Sequence, residues 1–287
     1  MPILQYLTFA GNQNSYGELP IEVLAGEQVF TIEVIFSTTN TTATGNTQRA
    51  GWGTIAGREI SGYFQNDFGL CVNAGKLCFW SEPKDVGTKA TAGTFSDAYV
   101  SDGEIHHVAV VSNINGSIDL YCDGELVAQQ DYVYARITNQ ATILLGYNSG
   151  GGSALDFNLY EIRFWNVART AEEIFQKHKL TAEYVLEPLT GEETGLQAWY
   201  IPTNNATLID KSPNGYDATL TGVSYNTVDR LNISYKADVA RRIKNAALTW
   251  QYYNAGTADL LSIGGTTLTD LPDDKSKTGT AFYQKAA

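Results

Sequence analysis

The sequence predicts an all-β fold, a sandwich or barrel of short antiparallel strands, on three observations. Runs with two-residue hydrophobic alternation are separated by turn signals every ~8–12 residues. The composition leans toward strand and turn formers, with 17 Tyr and 27 Gly among 287 residues. The tight-turn pairs Asn115-Gly116 and Asp123-Gly124 fall between alternating runs.

Element by element, Leu4 to Phe9 is a first short strand, Gly11 to Ser15 a polar turn, and Tyr16 to Pro20 the lead into a second. Phe30 to Phe36 is the clearest strand, with Phe30, Ile32, Val34 and Phe36 on one face and Thr31 and Glu33 opposite. Thr38 to Arg49 is a Thr/Asn-rich loop. Gly51 to Ala56 is a strand, and Gly69–Asn73 with Lys76–Trp80 is a hairpin. Pro83 to Gly93 is a second loop. Glu104–Ser112, Ser117–Cys122 and Glu125–Ala128 form successive antiparallel strands, followed by Thr142–Tyr147 and Leu159–Trp165. In the last of these, Tyr160, Ile162 and Phe164 alternate with Glu161, Arg163 and Trp165, and Thr170-Ala-Glu-Glu173 then reads as a capping box opening a short helix to Lys179. Thr181 to Thr194 is a polar connector. Gly195–Tyr200 and Ala218–Val223 are strands on either side of an Asp210–Gly215 turn. Beyond Asn226 the character changes. Asp238–Ile243 is basic, Leu248–Tyr253 is strand-like, Thr257–Gly265 alternates weakly, and the end, from Tyr283, carries no folding signal. The expected division is 1–225 as one sandwich and 226–287 as an extension, too small for a secure core, that docks on the sandwich or on a partner.

A net charge of -12 lacks the basic stripe that nucleic acid requires and disfavours anionic membrane surfaces. No apolar run approaches the ~20 residues of a membrane-spanning helix. The start, Met1 to Phe9, shows no secretory signal, which points to a virion protein released by lysis or to an excised form. Three cysteines cannot all pair. Cys71 and Cys78 are expected directly opposite across the Ala74-Gly75 turn, a placement that rarely meets disulfide geometry, so three thiols acting as small hydrophobes are expected. No Cys/His spacing resembles a zinc site.

Four blocks carry a family resemblance: Leu7–Pro20 with Phe30–Val34; Glu104–Val111 with Ile118–Leu126, containing a Tyr-x-Asp-Gly turn; Ile143–Gly146 before Glu161–Asn166; and Gly195–Tyr200 with Asp210–Leu220. In this order they resemble the laminin-G-like, concanavalin A-like lectin jelly roll, with a pentraxin-like strand–helix block. The resemblance implies a two-sheet antiparallel jelly-roll sandwich with one short helix and a small C-terminal extension. It also implies a fold that binds ligands, often sugars, and in most families performs no chemistry. Pentraxins place calcium ligands after the penultimate strand, whereas Tyr147–Gly152 here has no carboxylate, so no cofactor is expected and the ligand pattern does not support calcium. The Glu-x-Asp-x-x-Glu run of related glycosidases is absent, so no catalytic residues are assigned and the protein is not expected to be an enzyme.

Among candidate sites, Asp210, Ser212, Asn214 and Gly215 begin like a calcium loop, but Thr221 stands where the bidentate Glu belongs, so an Asx turn is expected. His106 and His107 point to opposite strand faces and cannot chelate one ion, which puts one in the core and one in solvent. Asp270, Asp273 and Asp274 alternate with Lys275 and Lys277 as a solvated loop. Matches to the glycosylation triplet at Asn40, Asn115, Asn205 and Asn232 have little weight without a secretion signal. The ligand-binding candidates are aromatics able to stack on sugar rings, Trp52, Tyr63, Trp80 and Tyr147, with Phe64 beside them, and polar groups able to bond hydroxyls, Asn66, Asp67, Asn148, Asp156 and Asn158. Trp165 and Trp199 are expected in the core. The expected function is a non-catalytic carbohydrate-binding or adhesion module that binds a glycan or host surface receptor from a virion or cell surface. The alternative is a structural subunit of a phage tail or head decoration, in which the extension contacts assembly partners or further copies.

Overall fold

The alternating runs pair into two antiparallel sheets of eight strands that share one core. The structure, a computed structural model, describes residues 3–41, 52–58, 67–81, 92–131, 141–149, 153–177, 189–229, 250–254, 260–263 and 280–284. The chain divides into two compact units, Met1–Asn232 and Ile233–Ala287.

One sheet, here sheet A, contains β1 (Ile3–Ala10), β3 (Phe30–Ser37), β8 (His106–Ser112), β9 (Ser117–Cys122), β10 (Glu125–Asp131), β12 (Asp156–Trp165), β13 (Leu196–Tyr200) and β16 (Ser224–Asp229). Its order is β10-β9-β8-β3-β12-β1-β16, with β13 also pairing β12. Sheet B contains β2 (Tyr16–Glu18), β4 (Gly53–Arg58), β5 (Phe68–Asn73), β6 (Lys76–Ser81), β7 (Ala92–Tyr99), β11 (Leu144–Leu145), β14 (Thr207–Leu208) and β15 (Ala218–Thr221), in the order β14-β15-β2-β11-β4-β5-β6-β7. This is the jelly-roll sandwich that the resemblance implied. In the second unit β17 (Trp250–Asn254) pairs with both β18 (Leu260–Ile263) and β19 (Thr280–Gln284).

Period-two burial explains the core. Phe30, Ile32, Val34 and Phe36 of β3 meet Val108 and Val110 of β8, Ile162 and Phe164 of β12, and Leu70 and Phe79 of sheet B. The turn residues sit at positive φ where the hairpins require it: Ala74 and Gly75 at 50° and 78°, and Asp123 and Gly124 at 50° and 84°. The first of these turns sets Cys71 opposite Cys78, and all three cysteines are buried free thiols.

Several elements differ from the sequence expectation. A bulge at Tyr160 breaks the alternation of β12, so Tyr160 does not join Ile162 and Phe164 in the core. Its ring instead lies 5.4 Å from that of Tyr6, and its hydroxyl reaches Ser37. Ala92–Tyr99 is a strand that the sequence does not announce, because its inward side chains are mostly small and polar and it lies at a sheet edge. β16 continues sheet A past residue 225 as far as Asp229, and Thr280–Gln284 forms β19 at the chain end. Both His106 and His107 are buried, and neither points to open solvent. The segments 42–49, 83–91, 181–188, 238–243 and 270–277 lie outside the described residues.

The middle of sheet A's outward face is also dry. After β12 the chain turns back over it and enters α1 (Ala171–Lys177), whose Ile174 packs on Ala109, Val111 and Tyr121. The expected capping box forms: the Glu173 N–H donates to Thr170 Oγ1 at 3.3 Å, and the Thr170 N–H donates to Glu173 Oε2 at 2.7 Å. Beneath this segment lies a buried ionic cluster. Glu33 Oε2 contacts His107 Nε2 at 3.0 Å and Arg163 Nη1 at 3.1 Å, while Arg169 Nη1 lies 3.1 Å from Glu33 Oε1. Arg163 Nε donates to Glu161 Oε1 at 2.6 Å, which also accepts the Trp199 indole N–H at 2.8 Å. Arg169 lies over the Trp165 ring at 4.0 Å, and its backbone N–H donates to Thr31 Oγ1.

Burial pushes the Glu33 carboxyl up, but the His107 hydrogen bond and the charges of Arg163 and Arg169 outweigh it and bring it down to about 2. A carboxyl depressed on folding contributes stability above its unfolded pKa, and that contribution is lost as pH falls toward the folded value. Glu33→Ala, which removes the carboxylate paired with Arg169 and leaves Arg163 with Glu161 alone, is expected to cost about 3–5 kcal/mol in urea unfolding at neutral pH. The difference between wild type and Glu33→Gln should shrink as pH falls from about 4.5 toward 2; a pH-independent difference would contradict the charge assignment.

Candidate functional site

The sequence-derived candidates separate onto opposite sides of the sandwich. On β6, Leu77 and Phe79 face the shared core, which turns Cys78 and Trp80 to the outer face of sheet B, where they cluster with Trp52 and Cys71. On β12, Phe157 and Leu159 face the core, which turns Asn158 to the outer face of sheet A. There Asn158 accepts the Thr8 hydroxyl at 2.7 Å, and Asn226 donates to the same Thr8 oxygen at 3.0 Å. Asp156 is exposed at the start of β12, and its backbone carbonyl accepts the Thr38 hydroxyl. Tyr147 is half-buried, with its ring 6.3 Å from that of Tyr16. Asn148 is buried, and its backbone N–H donates to the Ser153 carbonyl. Asp67 is buried near Arg58, a guanidinium that burial brings down to about 10 against the opposing pull of Asp67. Tyr63, Phe64 and Asn66 lie outside the described residues.

Trp52 and Trp80 are each 1% exposed and serve as packing. Gly69 makes room for Trp80, since a Cβ on Gly69 would lie 2.8 Å from the indole Cε2. Trp52 supports Phe95 of β7 edge to face, with ring centroids 5.2 Å apart and an interplanar angle of 84°. Phe95 is 54% exposed and Tyr99 is 48% exposed, and they are the exposed large aromatics among the described residues. Both occupy the outward positions of β7, with Asp97 between them, while Thr94, Ser96 and Val100 are buried behind. Asp97 pairs with Lys76 of the adjacent strand at 2.7 Å, and the lysine lowers the aspartate's pKa. The result is an open strip of ring, ion pair and ring at the edge of sheet B.

Sequence reasoning missed this strip because the alternation is carried by polar and small residues on the buried side. The detectable signal was Phe95, Asp97 and Tyr99 at two-residue spacing.

The Asp210 cluster is accounted for structurally. Asp210 forms the expected Asx turn, accepting the N–H groups of Ser212, Trp199 and Tyr216 and the Ser212 hydroxyl, all within 2.9 Å. Trp165 and Trp199 are buried as expected. Burial, with Cys71 alongside, pushes the Cys78 thiol well above its usual range.

Residues 10–175 match the family model Laminin_G_3, described as the concanavalin A-like lectin/glucanases superfamily. The chain belongs to this superfamily. No curated protein matches the sequence. A candidate carbohydrate-binding protein from Bacteroides ovatus has a similar fold at a TM-score of 0.58 and 18% identity, covering 80% of this chain and 61% of its own. This chain therefore spans less than two thirds of that protein's length. A SAP-like pentraxin from Limulus polyphemus matches at a TM-score of 0.47 and 16% identity, over 61% of this chain and 82% of its own. The sialidase carbohydrate-binding module CBM40 of Ruminococcus gnavus, bound to α2,3-sialyllactose, matches at 0.48 and 18% identity, over 62% and 98% respectively.

As the superfamily name joins lectins to glucanases, carboxylate accessibility matters. Glu33 and Glu161, two buried carboxylates that both pair with Arg163, have side chains only 1% and 2% exposed, so they cannot meet a glycan. No helix among the described residues is long and apolar enough to cross a membrane.

Gly69→Ala is expected to displace Trp80 from its pocket, lowering stability by about 1–3 kcal/mol and shifting tryptophan emission. An unchanged melting temperature and spectrum would show that Trp80 is not wedged against β5.

Proposed function

We propose that this chain is a non-catalytic carbohydrate-binding module whose docking surface is the outward row of β7. The observation that carries this reading is the exposure of Phe95 and Tyr99 on one strand face, with the Lys76–Asp97 pair between them. An aromatic face buries the apolar C–H side of a sugar ring, and an adjacent amine and carboxylate can donate to and accept from its hydroxyls. A bulge in β7 sets Phe95 opposite Cys78 and Tyr99 opposite Lys76, so the two rings stand beside consecutive outward positions of β6 and present one short aromatic strip. The Bacteroides ovatus protein of similar fold is a carbohydrate-binding candidate, which agrees with this ligand class.

Such a module works outside the cell, in adhesion or in host attachment from a virion or cell surface. A second reading, a structural subunit of an assembly such as a phage tail or head decoration, draws on the separate unit Ile233–Ala287 with its own three-stranded sheet. A glycan array on the full chain tests the first reading. Phe95→Ala and Tyr99→Ala are each expected to weaken the strongest hit by roughly tenfold, about 1.4 kcal/mol, with unchanged circular dichroism. Asn158→Ala, on the other sheet, should bind as wild type. Absence of any reproducible glycan signal, together with self-association of the chain in sedimentation, would favour the assembly reading.

A further inference from the structure

We propose that His106, Cys122 and Asp123 form a binding site for a thiophilic divalent transition metal such as zinc, with Asp102 orienting the histidine. The residues are distant in sequence, and strand pairing brings them together. β8 and β9 pair Val108 with Cys122, so His106, two residues earlier on β8, shares both the inward face and the sheet end with Cys122. Asp123 follows directly in the tight turn to β10, held at φ 50°.

One ligand atom from each of the three side chains lies within 4.8 Å of the others. His106 Nδ1 is 2.9 Å from Asp123 Oδ2, and Cys122 Sγ is 3.6 Å from that same oxygen. Zinc with nitrogen, sulfur and oxygen ligands at its ordinary bond lengths sets tetrahedral ligand separations of about 3.3–3.8 Å. The Nδ1–Oδ2 pair therefore needs to open by a few tenths of an ångström, the Sγ–Oδ2 pair already fits, and Nδ1 and Sγ lie within 4.8 Å of each other, around an ion that replaces the shared protons.

The surrounding hydrogen bonds fit the same role. His106 Nε2 faces Asp102 Oδ1 at 3.0 Å, the carboxylate–histidine arrangement that fixes the tautomer presenting Nδ1 to a metal. Asp123 Oδ1 accepts the His107 backbone N–H at 3.0 Å, which aims Oδ2 at His106 and Cys122. Access exists on the acidic side, where the Asp102 and Asp123 side chains are 41% and 20% exposed. That leaves the fourth coordination position to water. A thiolate–imidazole–carboxylate set selects a borderline-soft ion over calcium or magnesium, which require several hard oxygen ligands.

Cobalt(II) titration of the full chain after chelator treatment reads the site directly. The expected result is one equivalent bound, with a thiolate-to-cobalt charge-transfer band and tetrahedral d–d absorption. Both signals should vanish in Cys122→Ser and persist in the Cys71→Ser/Cys78→Ser double variant. Asp102→Asn should retain the spectrum with affinity roughly 10–100-fold lower. Zinc should displace cobalt and raise the melting temperature of wild type. Absence of the charge-transfer band in wild type overturns the proposal, as does its loss in the Cys71→Ser/Cys78→Ser variant. If Cys122→Ser does not fold, the wild-type and double-variant spectra still decide between these outcomes.

Discussion

Glu33 lies at the centre of sheet A with its carboxylate held between His107, Arg163 and Arg169, one group from each of three separate chain segments. The cluster links β3, β8 and β12 to the segment that leads into α1. A buried carboxylate is costly unless it is paired and hydrogen-bonded, and here the pairing succeeds only if all of these segments are in register. A one-residue slip of β12 would turn Glu161 and Arg163 together into the apolar core and leave Glu33 without the arginine. The bulge at Tyr160 is part of the same requirement, since it sets the phase in which Ile162 and Phe164 face inward and Glu161, Arg163 and Trp165 face the covering segment.

This dry face constrains where a ligand can dock. The middle of sheet A's outer surface is occupied by the ionic cluster, by Trp165 with Arg169 over it, and by Ile174 on Ala109 and Val111. The polar residues at its other end, Thr8, Asn158 and Asn226, bond one another. On sheet B, Trp52 and Trp80 are buried in one cluster, and Trp52 supports Phe95. Among the described residues, what remains open and aromatic is the edge strand β7. The proposed recognition strip and the buried ionic cluster are thus on different sheets.

Most of the architecture was legible because strand periodicity and turn chemistry are local. Phe30–Phe36, the Ala74-Gly75 hairpin and the Thr170–Glu173 cap could each be read from a handful of adjacent residues, and each formed. What escaped depends on tertiary covering. Glu33, Glu161, Arg163 and His107 look like the solvent face of ordinary strands, and only the segment folding back over them makes them internal. For the same reason one of His106 and His107 was expected in solvent, whereas both are buried. β7 escaped because an edge strand with Thr94, Ser96 and Ala98 behind it lacks hydrophobic contrast. The candidate site was legible as a residue class, aromatics near sheet B, while the particular rings were not. Trp52 and Trp80 are the larger signals in sequence, but burial gives the exposed role to Phe95 and Tyr99.

The division of labour between the two sheets can be read most directly by hydrogen–deuterium exchange on the full chain, with and without a saturating oligosaccharide. The account predicts slowed exchange confined to β5, β6 and β7 and no change in β1, β12 or β16. Protection centred on β1, β12 and β16 with none on β7 would contradict it.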